Sequence, residues 1–317
     1  MSISSEQANK ASCAFIFPGQ GAQTVGMGLD LISSSSAAKE VFDQVDEALG
    51  VDISKIIFEG PEDDLRKTIN AQPAILAMSL ACLRAMEEFL GKENMPQPSL
   101  VAGHSLGQYT ALVVSGALGL TVAARLVRER GRLMQYAAEL TEGGMAAIIG
   151  MKDEDIDTIC QETGTEVSNL NAPGQTVISG ELKAVSQAIE LAEARGARRA
   201  IPLPVAGAFH SKLMDPAQQG LNEAIEGIHL GDADIPIIAN STGLPIDDAQ
   251  SIKRELVESL CSPVRWRESV AYMASSGINT FYEIGPGKAL NGMVSRIQDG
   301  ATIINVGDWD NVQSLAS

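Results

Sequence analysis

Residues 99–107 read Ser-Leu-Val-Ala-Gly-His-Ser-Leu-Gly, and this stretch decides the fold. Its apolar start predicts a buried strand, its Gly-His-Ser-Leu-Gly end (103–107) a tight turn, and residues 108–115 a helix. In that context Gly-x-Ser-x-Gly is a nucleophile elbow, because the small residues permit a strained turn that projects the serine hydroxyl outwards. The helix N-terminus directs backbone N–H groups to the place where an oxyanion would develop. Ser105 is therefore the candidate nucleophile, and the alternative is a plain glycine-rich turn.

Strand and helix patterns alternate on both sides of the elbow. Further strands are predicted over Cys13–Phe17, Ile235–Ala239 and Thr280–Ile284. Helices are predicted over Ser36–Leu49, Ala74–Leu90, Ile252–Leu260 and Lys288–Ile297. Such alternation is typical of an α/β fold with a mainly parallel sheet.

The pattern changes between residues 141 and 204. Strands are predicted here over Gly144–Met151, Glu166–Asn171, Thr176–Ser179 and Arg198–Pro204, with helices over Asp153–Glu162 and Glu181–Arg195. The order βαββαβ is typical of a ferredoxin-like unit. We therefore expect a small ferredoxin-like domain over 141–204, inserted into a discontinuous catalytic domain formed by 1–140 and 205–317.

The composition argues against several classes of function. The chain has 317 residues, with 23 Lys and Arg against 40 Asp and Glu, a net charge of −17. Affinity for nucleic acid or anionic membranes needs a basic surface instead. Residues 94–124 lack charged side chains but contain two prolines and His104, so they do not predict a membrane span. The four cysteines form no metal-binding motif and the polar segment Met1–Ser12 no targeting signal, so we expect a cytoplasmic protein without a metal.

A serine nucleophile needs a base, and the chain offers three histidines. His104 neighbours Ser105 on the turn, where its ring is badly placed to reach back, and His229 lies in a polar stretch typical of a surface loop. His210 follows the strand-like run Ile201–Val205 in a loop, which makes it the candidate base, with a buried structural histidine as the alternative. No acidic residue between Ser105 and His210 ends a strand of the main sheet. The sequence therefore favours a Ser–His dyad whose imidazole is oriented by a backbone carbonyl.

Residues 121–138 predict an amphipathic helix with an arginine on its apolar face. Arg130 falls in the middle of the apolar stripe, whereas the four other charged residues of this helix point away. A buried arginine costs several kcal/mol unless it is paired. It either forms an internal salt bridge or awaits a substrate carboxylate, which a guanidinium binds with two parallel hydrogen bonds.

Two glycine-containing loops follow predicted strands. The loop Pro-Gly-Gln-Gly-Ala-Gln (18–23) lacks the third glycine of a dinucleotide motif and a Walker lysine, so nucleotide binding is weakly supported. At the carboxyl edge of a parallel sheet, its backbone N–H groups could supply a second oxyanion donor, or it is a plain turn. Gly-Pro-Gly-Lys (285–288) is a similar turn that either approaches the substrate or only packs.

Motifs spread over nearly the whole chain point to one family. They are Phe-Pro-Gly-Gln-Gly-Ala-Gln (17–23), Gln-Pro-Ala (72–74), the elbow (103–107), Arg-Gly (130–131), Asn-Ala-Pro-Gly-Gln (171–175), Phe-His (209–210), Pro-Val-Arg-Trp (263–266) and Glu-Ile-Gly-Pro-Gly-Lys (283–288). In content and order they resemble the malonyl-CoA:acyl carrier protein transacylases, the acyltransferases of fatty acid synthesis. That resemblance implies an α/β-hydrolase-like domain with a ferredoxin-like insertion.

The resemblance also implies roles for individual residues. Ser105 would be the nucleophile that malonyl-CoA acylates, and His210 its general base. Arg130 would bind the malonyl carboxylate, and the backbone amides of Gln20 and Leu106 would form the oxyanion hole. No metal or other cofactor is implied, because the phosphopantetheine belongs to the partner, a holo-acyl carrier protein.

Two more positions carry implied roles, and two depart from the family. Phe209 would crowd the space that an α-methyl group on the substrate needs, and the backbone carbonyl of residue 259 would orient the histidine. Ser259 stands where Gln is common, and Gln108 where Glu is common. A backbone role survives a change of side chain, so we expect little effect from Ser259.

The implied partner is acidic, as is this chain. We therefore expect a local basic rim at the docking surface, with the following candidates: Arg195, Arg198, Arg199, Lys212, Lys288 and Arg296. A monomer is the default expectation. The alternatives are a serine esterase or thioesterase, a polyketide-pathway acyltransferase and a non-catalytic module that docks a carrier protein.

Overall fold

The computed structural model describes residues 12–205 and 207–316, so that the polar segment Met1–Ser12 lies, except for Ser12, outside the described residues. The strands are β1 (Cys13–Phe17), β2 (Pro98–Gly103), β3 (Gly143–Ile149), β4 (Glu166–Ala172), β5 (Gln175–Glu181), β6 (Arg199–Pro202), β7 (Ile237–Ile238), β8 (Pro245–Ile246), β9 (Thr280–Ile284) and β10 (Thr302–Val306). The helices of the first half are α1 (Leu29–Ser34), α2 (Ser36–Leu49), α3 (Ile53–Glu59), α4 (Glu62–Arg66), α5 (Thr68–Leu90), α6 (Gly107–Val114) and α7 (Leu120–Leu140). Those of the second half are α8 (Asp153–Thr163), α9 (Leu182–Ala194), α10 (Asp215–Glu226), α11 (Ala249–Glu258), α12 (Trp266–Ser275), α13 (Ala289–Ile297) and α14 (Trp309–Gln313).

The large sheet has the strand order β10-β9-β1-β2-β7-β8. The strands from β10 to β7 run parallel, and β8 runs antiparallel to β7. All of β1 is buried, as expected for a parallel strand whose two faces are both covered. Its register places Phe17 opposite Gly103 of β2, so the loop after β1 and the turn after β2 meet at the carboxyl edge. Open α/β sheets bind their ligands at this edge.

The small sheet has the order β4-β5-β3-β6, and all of its neighbouring strands are antiparallel. With α8 and α9, these strands follow one another as βαββαβ and enclose a separate apolar cluster that includes Ile148, Ile156 and Ile178. The ferredoxin-like topology predicted for this stretch is confirmed. A backbone hydrogen bond joins strand β4 to a segment outside the small sheet, because Leu170 N donates to Val264 O at 2.9 Å.

Some elements differ from the sequence prediction. Helix α5 begins at Thr68 and carries Pro73 within it, whereas the prediction began at Ala74. Proline removes one helical hydrogen bond but leaves the preceding turn intact here, because α7 packs against it: a Cβ on Gly131 would lie 2.6 Å from Thr68 O. Strand β7 has two residues where five were predicted, since Pro236 lacks the N–H that would extend the ladder.

Within the described ranges, no helix is both long and apolar enough to cross a membrane. The same residues hold no group of three or more His, Cys, Asp or Glu side chains that could bind a metal ion.

Candidate active site

The turn after β2 forms the centre of the site. Ser105 has a φ of 50°, in the left-handed region that non-glycine residues rarely adopt, and α6 begins two residues later. The positions before and after Ser105 at 103 and 107 have no room for a side chain. A Cβ on Gly103 would lie 1.9 Å from the carbonyl carbon of Gly107, and one on Gly107 would lie 2.1 Å from Phe17 O. The main chain is thus forced into a sharp bend that presents the Ser105 hydroxyl.

His210 meets this hydroxyl. Its Nε2 lies 2.8 Å from Ser105 Oγ, and its Nδ1 lies 2.9 Å from the carbonyl oxygen of Ser259 at the end of α11. Because a carbonyl oxygen only accepts, Nδ1 carries the proton and Nε2 is free to accept the proton of the serine. Burial, and then the charge of Arg130, lower the pKa of His210 to about 3, so the imidazole is neutral at pH 7.

Arg130 lies on α7, with 3% of its surface exposed. Its Nη1 donates to Gln72 Oε1 at 2.8 Å, and its Nη2 donates to Ser105 Oγ at 3.3 Å. The guanidinium carbon also lies 5.5 Å from the centre of the Tyr109 ring. Burial lowers the pKa of Arg130, and Tyr109 opposes that shift.

No acidic side chain among residues 12–205 and 207–316 forms an ion pair with Arg130. The alternative prediction, an internal salt bridge of Arg130, is therefore wrong as far as the described residues are concerned. A cation buried without a counter-ion, in contact with a nucleophile, can receive an anionic group of a ligand.

The backbone donors expected for an oxyanion lie on either side of the elbow. Leu106 directly precedes the first residue of α6. Gln20 follows Gly19, whose Cβ, were there one, would lie 2.4 Å from His104 O, so the loop after β1 lies directly against the turn. The Gln20 side chain is held away from this contact by a bond from its Nε2 to Thr68 Oγ1 at 3.1 Å. This arrangement brings the loop that carries Gln20 against the elbow.

The remaining predicted residues take clear positions. Phe209 is buried directly before His210, and its ring would lie 3.0 Å from a Cβ on Gly207. His104 is turned away from Ser105, because its Nε2 lies 2.9 Å from Asn171 Oδ1. His229 is exposed in a loop, as predicted.

The sequence analysis missed Asn240 and Glu255 and gave Gln72, part of the Gln-Pro-Ala motif, no role. Asn240 follows β7 and bonds Gly103 O and Ser105 N, Glu255 on α11 holds Asn240, and Gln72 holds Arg130. A usable signal existed for Glu255, because this acidic residue shares a helical face with apolar neighbours, as Arg130 does. The short loop position of Asn240 carries no comparable signal.

Comparison with known proteins agrees with this geometry. Residues 14–309 match the model of the acyl transferase domain family. The malonyl CoA-acyl carrier protein transacylase of Bacillus subtilis is 45% identical over 305 residues, which cover 95% of each chain. The crystal structure of an acyl-carrier-protein S-malonyltransferase from Bartonella henselae superposes with a TM-score of 0.92 at 43% identity, covering 96% of this chain and 98% of that one.

A further solved structure holds a malonyl-transacylase in complex with a type II PKS acyl-carrier protein. It is 39% identical, with a TM-score of 0.91, and covers 96% of this chain and 98% of that one. These likenesses also confirm the predicted fold class, an α/β-hydrolase-like domain with a small inserted domain. The chain belongs to the acyl transferase family and, within it, to the malonyl CoA-acyl carrier protein transacylases.

Proposed function

We propose that this protein transfers the malonyl group from malonyl-CoA to the phosphopantetheine thiol of holo-acyl carrier protein, through a malonyl-Ser105 intermediate, and so supplies fatty acid biosynthesis. One observation carries the proposal. A buried guanidinium, which has no counter-ion within residues 12–205 and 207–316, lies 3.3 Å from the hydroxyl of a serine that is bonded to a neutral histidine. A malonyl thioester offers both groups that such a site needs, a carbonyl for the hydroxyl and a distal carboxylate for Arg130.

In the first half-reaction, Ser105 Oγ attacks the thioester carbonyl carbon while His210 Nε2 takes the hydroxyl proton. The negative charge that develops on the carbonyl oxygen is stabilised by the backbone N–H groups of Gln20 and Leu106. The C–S bond then breaks, and the sulfur of coenzyme A leaves with the proton held by His210. In the second half-reaction, the phosphopantetheine thiol gives its proton to His210 and attacks the malonyl ester, and the proton returns to Ser105.

Arg130 supplies the selectivity for a carboxylated acyl group. A bidentate guanidinium–carboxylate pair in a desolvated site is strong and fixes the acyl chain in one orientation. Phe209 narrows the space beside the α-carbon, and the carbonyl of Ser259 keeps the imidazole in the productive tautomer. These steps require no cofactor, because the nucleophile, the base and the electrostatic donors all come from the chain.

The carrier protein docks, in this proposal, on exposed basic side chains. Arg198, Arg199 and Lys288 are exposed and form no ion pair with the residues that the structure describes, whereas Arg195 pairs with Glu162 at 2.6 Å. Lys212 and Arg296 complete the candidate set named above. Reversing these charges is expected to raise the KM for the carrier protein without changing the rate of acylation by malonyl-CoA.

The finer organisation follows from the same proposal. The inserted domain spans 141–204 and the catalytic domain 1–140 and 205–317, which is supported by the position of every strand of the small sheet between Gly143 and Pro202. The protein acts in the cytoplasm as a monomer. The solved complex of a relative with a type II PKS acyl-carrier protein keeps a polyketide carrier as the second candidate partner.

Intact-mass measurement after exposure to malonyl-CoA tests the proposal. We expect the mass to rise by one malonyl group, the S105A variant to remain unmodified, and the adduct to disappear rapidly when holo-acyl carrier protein is added. Absence of any adduct on the wild-type protein would favour a non-catalytic docking module. An adduct that water removes as fast as the carrier thiol would identify an esterase or thioesterase.

A further inference from the structure

A second buried charge lies behind the elbow, on the side away from the substrate groups. Glu255 of α11 is only 4% exposed, and its helical neighbours Ile252 and Leu256 are core residues. Its Oε1 accepts hydrogen bonds from Asn240 N at 2.7 Å, Gln108 Nε2 at 2.9 Å and Ser241 N at 3.1 Å, and Ser241 Oγ donates to its Oε2. Donors surround both carboxylate oxygens, which satisfies a charge that would otherwise be costly to bury.

Asn240 connects this carboxylate to the nucleophile. Its side-chain Oδ1 accepts from Ser105 N at 2.7 Å, and its Nδ2 donates to Gly103 O at 2.7 Å. The one amide therefore holds the main chain immediately before and at Ser105, where φ is 50°. A non-glycine residue in this region is unfavourable unless its surroundings hold it there. Asn240 provides two such bonds, and Glu255 fixes Asn240 in turn.

Gln108 makes the position of this carboxylate possible. Its side-chain amide donates to Glu255 Oε1 at 2.9 Å, and both side chains are buried. A Glu at residue 108 would place two carboxylates in contact, and one of them would have to bind a proton. The neutral Gln108 and the charged Glu255 are thus a matched pair, with the charge carried by α11.

We propose that Glu255 and Asn240 are positioning residues for the nucleophile: the carboxylate fixes Asn240, and Asn240 holds the turn that aims the Ser105 hydroxyl and the Leu106 N–H at the substrate. Neither residue touches the reacting atoms. The inference rests on the proposed function, because it assumes that Ser105 is acylated.

The test compares single-turnover acylation by malonyl-CoA, followed by rapid-quench intact mass, across four single variants, with Q108E and the double variant E255Q/Q108E as a second set. N240A removes the bonds to the turn, and E255L removes the acceptor behind Asn240. E255Q keeps an acceptor oxygen without the charge. E283L is the matched control, because Glu283 is also a fully buried carboxylate that accepts two backbone bonds, from Leu290 N and Asn291 N, and in the described part of the chain it forms no hydrogen bond with residues 103–107.

We expect N240A to slow acylation about 100-fold and E255L to slow it at least about tenfold. The malonyl-CoA concentration that gives half-saturation should stay within about threefold of wild type, because misplaced reacting groups lower the rate more than they weaken binding. E255Q should recover most of the rate. E283L should lower Tm while leaving the rate per folded molecule within about twofold. If E255L does not fold, N240A and Q108E test the inference instead. Q108E should slow acylation, and the double variant E255Q/Q108E should regain part of the rate.

The inference is overturned if N240A and Q108E acylate at the wild-type rate, or if E255L and E283L lose Tm and rate in parallel. A wild-type protein that malonyl-CoA does not acylate would instead refute the proposed function. The two failures are therefore distinguishable in one experiment.

Discussion

Arg130 and Glu255 are opposite charges buried to the same degree, 3% and 4% exposed, yet their surroundings differ. Four donors converge on the Glu255 carboxylate. Arg130 has bonds to the neutral side chains of Gln72 and Ser105 and no acidic partner among the residues described. The pKa of Tyr109, on α6, responds to both charges. Burial raises this pKa to about 12, while the charge of Arg130 lowers it and that of Glu255 raises it.

The difference separates a charge that the fold uses from a charge that the substrate uses. Burying an ion costs several kcal/mol unless partners compensate it. The fold surrounds Glu255 with four donors that oppose the rise in its pKa caused by burial, so this carboxylate belongs to the support of the elbow. It compensates Arg130 only with dipoles, so the cation remains available to an incoming carboxylate. A buried charge is therefore informative about function mainly through the partners that it lacks.

The largest expected effect comes from removing the unpaired charge. R130M should slow acylation by malonyl-CoA about 10²–10⁴-fold, because losing one partner of a buried ion pair costs about 3–5 kcal/mol. Acylation by acetyl-CoA, which has no carboxylate, should fall far less or rise. Intact-mass time courses with the two thioesters measure both rates. Equal losses with malonyl-CoA and acetyl-CoA would show that Arg130 supports the elbow rather than the substrate.

The sequence was sufficient where the determinant is local. The turn at 103–107, with its glycines before and after Ser105, is fixed by contacts within a few residues and with the neighbouring strand. The position of Arg130 on the apolar face of its helix follows from periodicity alone. The βαββαβ order of the small sheet likewise follows from alternating elements, and the structure confirms it.

The sequence was insufficient where partners are distant along the chain. Gln72 and Arg130 are 58 residues apart, Asn240 and Ser105 135 apart, and Gln108 and Glu255 147 apart. A polar residue in a loop or on a helix does not specify which distant group it will meet. The start of α5 at Thr68 was missed for the same reason, because packing against Gly131 overrides the local effect of Pro73.

An intermediate effect is expected when Arg130 is given the kind of partner that Glu255 represents. Gln72 Oε1 lies 2.8 Å from Arg130 Nη1, so Q72E would place a carboxylate against the guanidinium. This internal ion pair should compete with the substrate and raise the KM for malonyl-CoA about 10–100-fold, with acetyl-CoA little affected. The uncharged Q72L is the control that removes the hydrogen bond alone. Similar KM values for Q72E and Q72L would mean that the orientation of Arg130, and not its free charge, sets selectivity.

The smallest effect concerns pH. Burial and the charge of Arg130 lower the pKa of His210 to about 3, so the base stays unprotonated well below the ordinary histidine pKa. Acylation by malonyl-CoA should therefore vary less than about twofold between about pH 5 and pH 8, with no acid limb near pH 6.5. In R130M the burial remains but the neighbouring charge is gone, so the pKa of His210 should rise and the acid limb move to higher pH. A neutral ester such as p-nitrophenyl acetate allows both proteins to be compared, because it does not need the carboxylate site. An acid limb at the same pH in both would show that the charge of Arg130 does not reach the imidazole, and that its unpaired state matters to the substrate alone.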